Sequence, residues 1–184
     1  MDKKDYLIQQ FATLRREIED QQRRVFWIVV MGLLGVPVLT YFLLTANTPI
    51  WMTLPLLLLV LIVLFLAQQN NMMRAGRYIR EHIESQVDYT PGWESWIESR
   101  PELRVMDKQF AASLIILFFL FYFLLIGLAL HDLAVKAFQD ASGGEWLWFG
   151  GAAAVYGIAT LFGLATLIHH WRSSVGTTPG PKER

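Results

Sequence analysis

Residues 50–67 read IWMTLPLLLLVLIVLFLA. The run holds no Asp, Glu, Lys or Arg. A helix rises about 1.5 Å per residue, so roughly 20 apolar residues cross a hydrocarbon core of about 30 Å. Barrel strands would be shorter and would alternate in polarity. In lipid every backbone group must bond internally, which makes this run a helix. Three more blocks of the same kind surround it: Val25–Ala46, Phe110–Leu130 and Trp146–Ile168. The expected fold is therefore an all-α integral membrane protein with four transmembrane helices. The composition agrees, with 54% hydrophobic and 17% charged residues among 184. A disordered chain would carry more charge, and an ordinary soluble domain would disperse its apolar residues.

The block at 25–46 reads as a retained span rather than a cleavable signal, because a charged 24-residue segment precedes it and no small-x-small site closes it. Spans 25–46 and 50–67, joined only through Asn47-Thr48-Pro49, form an antiparallel hairpin. Spans 110–130 and 146–168 form a second one. The segments 1–24, 68–109 and 169–184 carry 15 of the 16 Lys and Arg residues, and Lys136 alone lies on the other side. That bias places both termini and the 68–109 connection in the cytoplasm. Trp27, Trp51, Trp146, Trp148 and Trp171 fall near span ends, where an amphipathic ring prefers the interface.

Before the first span, Leu7, Phe11, Leu14, Ile18, Gln21 and Val25 follow a 4-3-4-3-4 spacing, which predicts a helix with a heptad seam. After the second span, Met72, Gly76, Ile79, Ile83 and Gln86 or Val87 keep a similar stripe. Arg77 with Glu81 and Arg80 with Glu84 are i,i+4 pairs on its polar side. Two striped helices leaving one hairpin predict a cytoplasmic helical-hairpin stalk, a coiled-coil pair built on Phe11, Leu14 and Ile18 against Ile79 and Ile83. Pro91-Gly92 ends the second helix. Trp93, Trp96 and Ile97 then share one face, suited to the inner leaflet, to a partner, or to packing on the stalk. Pro101 breaks the chain before the third span. The tail 169–184, with Gly, Pro, Ser and Thr from Ser173 onward, is expected to be disordered.

The chemistry-bearing residues argue mostly by exclusion. Without cysteine there is no disulfide, thiolate metal site or thiol catalysis. A net charge of zero is not that of a nucleic-acid binder. No phosphate loop, HExxH, GxSxG or carboxylate-pair motif occurs. His131 lies at the outer end of the third span, His169 and His170 at the inner end of the fourth, and His82 on the stalk, so no two imidazoles meet at one depth on facing helices to hold a haem. No catalytic, cofactor or metal residue is assigned, and no cofactor is expected. The spans lack central ionisable groups, which disfavours a coupled transporter but leaves a pore possible.

The fourth span is rich in Gly and Ala between residues 150 and 166. Ala153-x3-Gly157 and Ala159-x3-Gly163 are small-x3-small pairs that favour close helix contact, and the face with Ala153, Gly157, Thr160 and Gly163 suits packing inside one chain, a subunit contact or a pore lining. The Leu-, Ile- and Phe-rich stretches Leu54–Leu66 and Leu114–Leu130 are expected to face lipid instead.

The stretch Arg77-Tyr78-Ile79-Arg80-Glu81-His82-Ile83-Glu84, followed by Gly92-Trp93-Glu94-Ser95-Trp96, resembles a segment of uncharacterised small bacterial multi-pass membrane proteins. This resemblance implies a bacterial inner-membrane location. The hairpin with a helical stalk is also similar in architecture to membrane-hairpin effectors of bacterial defence systems, from which the two extra spans depart. Three function classes follow. The chain is expected to be a non-enzymatic membrane protein that self-assembles as a homo-oligomer or docks a cytoplasmic protein through its stalk. The alternative is a channel or pore-forming effector. A lipid-modifying enzyme would need an inward-facing acid, base or nucleophile cluster, which the spans lack. Its partners are then the lipid bilayer, a second copy or a cytoplasmic protein, and not nucleic acid.

Overall fold

The computed structural model describes residues 3–46, 48–86, 92–139 and 143–175, with backbone alone at 3–4, 98, 101–108 and 171–175. Among the described residues the secondary structure is entirely helical, and four helices are long and apolar enough to cross a membrane.

Helix α1 (Lys3–Val30) runs through a widened π-turn at Met31–Gly35 into α2 (Val36–Thr45). The π-turn lies next to Pro37, which has no N–H to give the carbonyl of Leu33, so the regular ladder is interrupted there. Gly32 is required in this turn. A Cβ at Gly32 would lie 2.8 Å from Cζ of Phe118, so the missing side chain admits the aromatic ring. After Thr48, in extended conformation, a 3-10 turn at Pro49–Thr53 leads into α3 (Leu54–Tyr78). A second π-turn, Ile79–Ile83, and a 3-10 turn, Glu84–Gln86, prolong α3. The short α4 (Trp93–Glu98) precedes α5 (Pro101–Gln139) and α6 (Gly144–Val175).

Helix α3 is the hub, packed against α1, α5 and α6. Leu58, Ile62 and Phe65 of α3 meet Phe118, Tyr122 and Leu125 of α5 in the core, with Phe65 and Phe118 edge to face at 6.2 Å. Helix α6 lies at the bundle's edge on α3 and α5. The expectation for lipid-facing helices is therefore corrected for α3: the Leu-rich Leu54–Leu66 stretch supplies the centre of the core. Helix α5 divides its surface, burying Phe118, Tyr122 and Leu125 while exposing Ile116, Leu120 and Leu124. Trp51 differs from the interfacial role its position suggested, because the 3-10 turn at the start of α3 tucks it into the same core at 7% exposure.

Three boundaries also move. Helix α5 continues nine residues past Leu130 because nothing in HDLAVKAFQ breaks it, and Gly143, at φ 75°, adopts the left-handed backbone just before α6. Pro101 begins α5 rather than merely interrupting the chain, as its preset φ favours at a helix start. Helix α6 carries the backbone through Val175, seven residues into the segment expected to be disordered. Residues 176–184, the turn residue Asn47, and Val87 and Pro91 of the expected stripe and break lie outside the described residues, as does the side chain of Trp171.

Candidate functional site

Beyond the apolar spans, α1 lies alongside the end of α3 and its π-turn. The seam residues Phe11, Leu14 and Ile18 are half-buried while most of their helix neighbours are exposed. Opposite them Ile79 is fully buried and Ile83 nearly so. The stripe ends there. Gln86 is exposed, and its Nε2 donates to the carbonyl of His82 at 2.8 Å. Along the pair Gln10 Nε2 donates to Tyr78 Oη at 2.8 Å. Where the pair enters the apolar layer, Gln21 and Gln68 are drawn inward and the Oε1 of each lacks a hydrogen-bond partner.

The second fastening is polar and runs through α4. The carboxylate of Glu84 accepts hydrogen bonds from the backbone N–H of Glu94 (2.8 Å) and Ser95 (2.9 Å) and from Ser95 Oγ (2.7 Å). These are amides of the first helical turn, which have no partner inside the helix, so Glu84 caps α4 from ten residues away. Gly92 makes the approach possible, since a Cβ there would collide with the Glu84 carboxylate. Arg15 of α1 completes the link with an ion pair to Glu94 at 3.1 Å. Helices α1, α3 and α4 are thus joined by two carboxylates of opposite behaviour. Partial burial alone would raise Glu84, but the Ser95 hydroxyl, the two amides and Arg15 outweigh it and hold the carboxyl below its ordinary value. Burial dominates at Glu94 and pushes it up, reinforced by Glu84 and opposed by Arg15 and Arg80.

This cluster presents Trp93, 57% exposed, stacked on half-buried Trp96 at 5.5 Å. The Arg100 guanidinium lies 4.8 Å from the centre of the Trp96 ring. The spacing of the tryptophans was legible, whereas the Glu84 cap was not, because no helical periodicity links residues ten apart across a break.

The small residues of α6 are divided rather than brought together. Gly163 is buried, and a Cβ there would meet Leu59 Cδ1 at 2.6 Å. Ala153 and Thr160 are half-buried, and the Thr160 hydroxyl lies 3.0 Å from that of Tyr122. Tyr156 donates its hydroxyl to the carbonyl of Met52, pinning α6 to the turn before α3. Gly157 is exposed and a Cβ there meets nothing within 4 Å, as is also true at Gly150 and Gly151. Thr160, Tyr122 and Tyr156 were visible as the few polar groups in the spans, but their pairing was not.

No protein-family model, no curated protein and no solved structure matches the chain.

Proposed function

We propose that the chain is a non-enzymatic membrane protein whose paired α1 and α3 extensions form a cytoplasmic stalk, through which it docks a cytoplasmic protein or a second copy. The observation that carries this reading is the fastening of the stalk. Gln10–Tyr78 joins α1 to α3, while Arg15–Glu94 and the Glu84 cap hold α4 against that pair and leave Trp93 outward. An exposed aromatic on a rigid support is the kind of residue that anchors a protein interface. The placement of 15 of the 16 Lys and Arg on that side supports a cytoplasmic orientation, in the inner membrane if the source is bacterial. The bundle core is filled by Phe65, Phe118 and Tyr122, which gives no support to a passage through a single chain.

Trp93→Ala is the test. The variant should change the melting temperature little, because the ring is more than half exposed and its ring contact is the stack on Trp96. Energy transfer between labelled copies in one vesicle, or binding of a cytoplasmic partner, should fall at least tenfold. Unchanged association in both assays would reject docking at this face. Reporters fused at Arg184 and at Ala137 should report opposite sides, with Arg184 inside; an exported Arg184 reporter would reverse the stalk's compartment.

A further inference from the structure

Two glutamines lie where the paired helices enter the apolar layer. Gln21 occupies the α1 seam between Ile18 and Val25. On α3, Gln68 falls three residues after Phe65 and four before Met72. The bond from Gln10 to Tyr78 sets their level. From Gln10 to Gln21 α1 rises about 16 Å, and from Tyr78 back to Gln68 α3 covers about 15 Å. The two amides therefore sit at one height in the contact between α1 and α3.

Their polar atoms are unequally served. Gln21 is 5% exposed, and its Nε2 donates at 3.2 Å to Oε1 of Glu17, an exposed residue one turn back on α1. That bond commits the Gln21 donor to the outside of the helix and leaves its Oε1 within. The Oε1 of Gln68 is shut off from solvent as well, and neither oxygen has a hydrogen-bond partner among the described residues. Buried acceptors in folded proteins are almost always answered. The flanking side chains Ile18, Val25, Phe65 and Met72 carry no N–H or O–H. The backbone amides of both helices are committed to carbonyls one turn back.

We propose that one water molecule is bound between Gln21 and Gln68 and donates one O–H to each Oε1. Water is the smallest molecule that brings two donors, and buried waters answer such unpaired polar groups. Two amide oxygens are too few for a hard cation, which takes roughly six. Exposed Arg23 and Arg24 lie within one turn of Gln21, so the site fills from the stalk side rather than through the apolar core. A direct bond between the two amides would instead require Gln68 to turn its Nε2 toward Gln21.

The test is water-selective nuclear Overhauser spectroscopy of the full chain in perdeuterated detergent, with labelled glutamine side chains. Wild type should show cross-peaks from water to the γ-methylene protons of both Gln21 and Gln68, with the sign of a water that tumbles with the protein. Gln68→Leu should erase the cross-peak at Gln21, and Gln21→Leu the one at Gln68. Each single variant leaves one oxygen buried and unpaired, so each should melt about 2–8 °C lower. Gln21→Leu with Gln68→Leu removes both oxygens and should lose no more than the worse single variant. Gln22→Leu, at the exposed neighbour on α1, should leave both cross-peaks in place. Absence of the water cross-peaks in wild type, cross-peaks between the two amide groups in their stead, or losses that add in the double variant would each overturn the proposal. None of these readouts involves Trp93, so failure here and failure of docking are separate.

Discussion

Helices α3 and α6 are both long, apolar and parallel neighbours, yet they use their surfaces in opposite ways. In the most apolar stretch of α3, 44% of residues are buried inside the protein; in that of α6, 11% are. The bulky helix is the hub and the Gly- and Ala-rich helix is the edge. Lipid tails are as apolar as Leu, so side-chain hydrophobicity does not sort the inside of a membrane bundle from its outside. Shape does. Leu58, Ile62 and Phe65 fill the space between three neighbouring helices, and only the few small residues of α6 that meet α3 or α5 matter for approach.

The largest expected effect follows at the hub. Ile62→Ala removes a fully buried side chain and should cost about 2–5 kcal/mol. Leu161→Ala, on the open face of α6, should stay within about 0.5 kcal/mol. Thermal unfolding in one detergent compares them, and equal losses would abolish the distinction between hub and edge.

Next comes the division within α6. Gly163→Leu drives a side chain into Leu59 and should cost about 1–3 kcal/mol. Gly157→Leu meets no neighbour and should leave the monomer's stability unchanged or slightly improved, because Gly is a poor helix former. If Gly157→Leu instead shifts the mass of the detergent-solubilised protein downward, the open face is an interface between copies. Destabilisation by Gly157→Leu at constant mass would mean that α6 sits in another rotation.

The polar pins between hub and edge are smaller. A double-mutant cycle with Tyr122→Phe and Thr160→Val should give a coupling of about 0.6 kcal/mol, and at most about 1.7, as membrane hydrogen bonds do. A coupling of zero would leave apolar packing as the whole attachment of α6.

What could be read from the residues follows the same divide. The four helices long and apolar enough to cross a membrane were legible because lipid demands length and apolarity, and both are written locally. The stripes through Phe11, Leu14, Ile18, Ile79 and Ile83 were legible because those helices leave the apolar layer, and amphipathicity then becomes meaningful. Inside the layer that signal vanishes, which is why Leu54–Leu66 looked lipid-facing and Trp51 looked interfacial. The Tyr156–Met52 bond and the Glu84 cap depend on partners far away in sequence, and no period encodes them.

The smallest effect lies at the clamp, where partly exposed charges are worth about 0.2–1 kcal/mol. Glu84 and Glu94 should respond to acid with opposite sign. The folded pKa of Glu84 is lowered, so its contribution is present above the ordinary value of 4.5 and is lost as pH falls through the folded value. The folded pKa of Glu94 is raised, so its ionised form is disfavoured, and stability declines as pH rises from 4.5 through that value. Tryptophan fluorescence, with the other five tryptophans replaced by Phe, reports on Trp93 and Trp96 above the cap. It should change as pH drops below about 4.5, when Glu84 takes a proton and releases the amides of Glu94 and Ser95. In Glu84→Gln that low-pH transition should be absent and α4 should already be loosened at neutral pH, with faster amide exchange at both residues. Arg15→Gln should keep the transition but move it toward higher pH, because Arg15 helps to hold the Glu84 carboxyl down, and should weaken the link to α1. An identical acid transition in Glu84→Gln would show that the tryptophans sense some other group, and that Glu84 does not hold α4 in place.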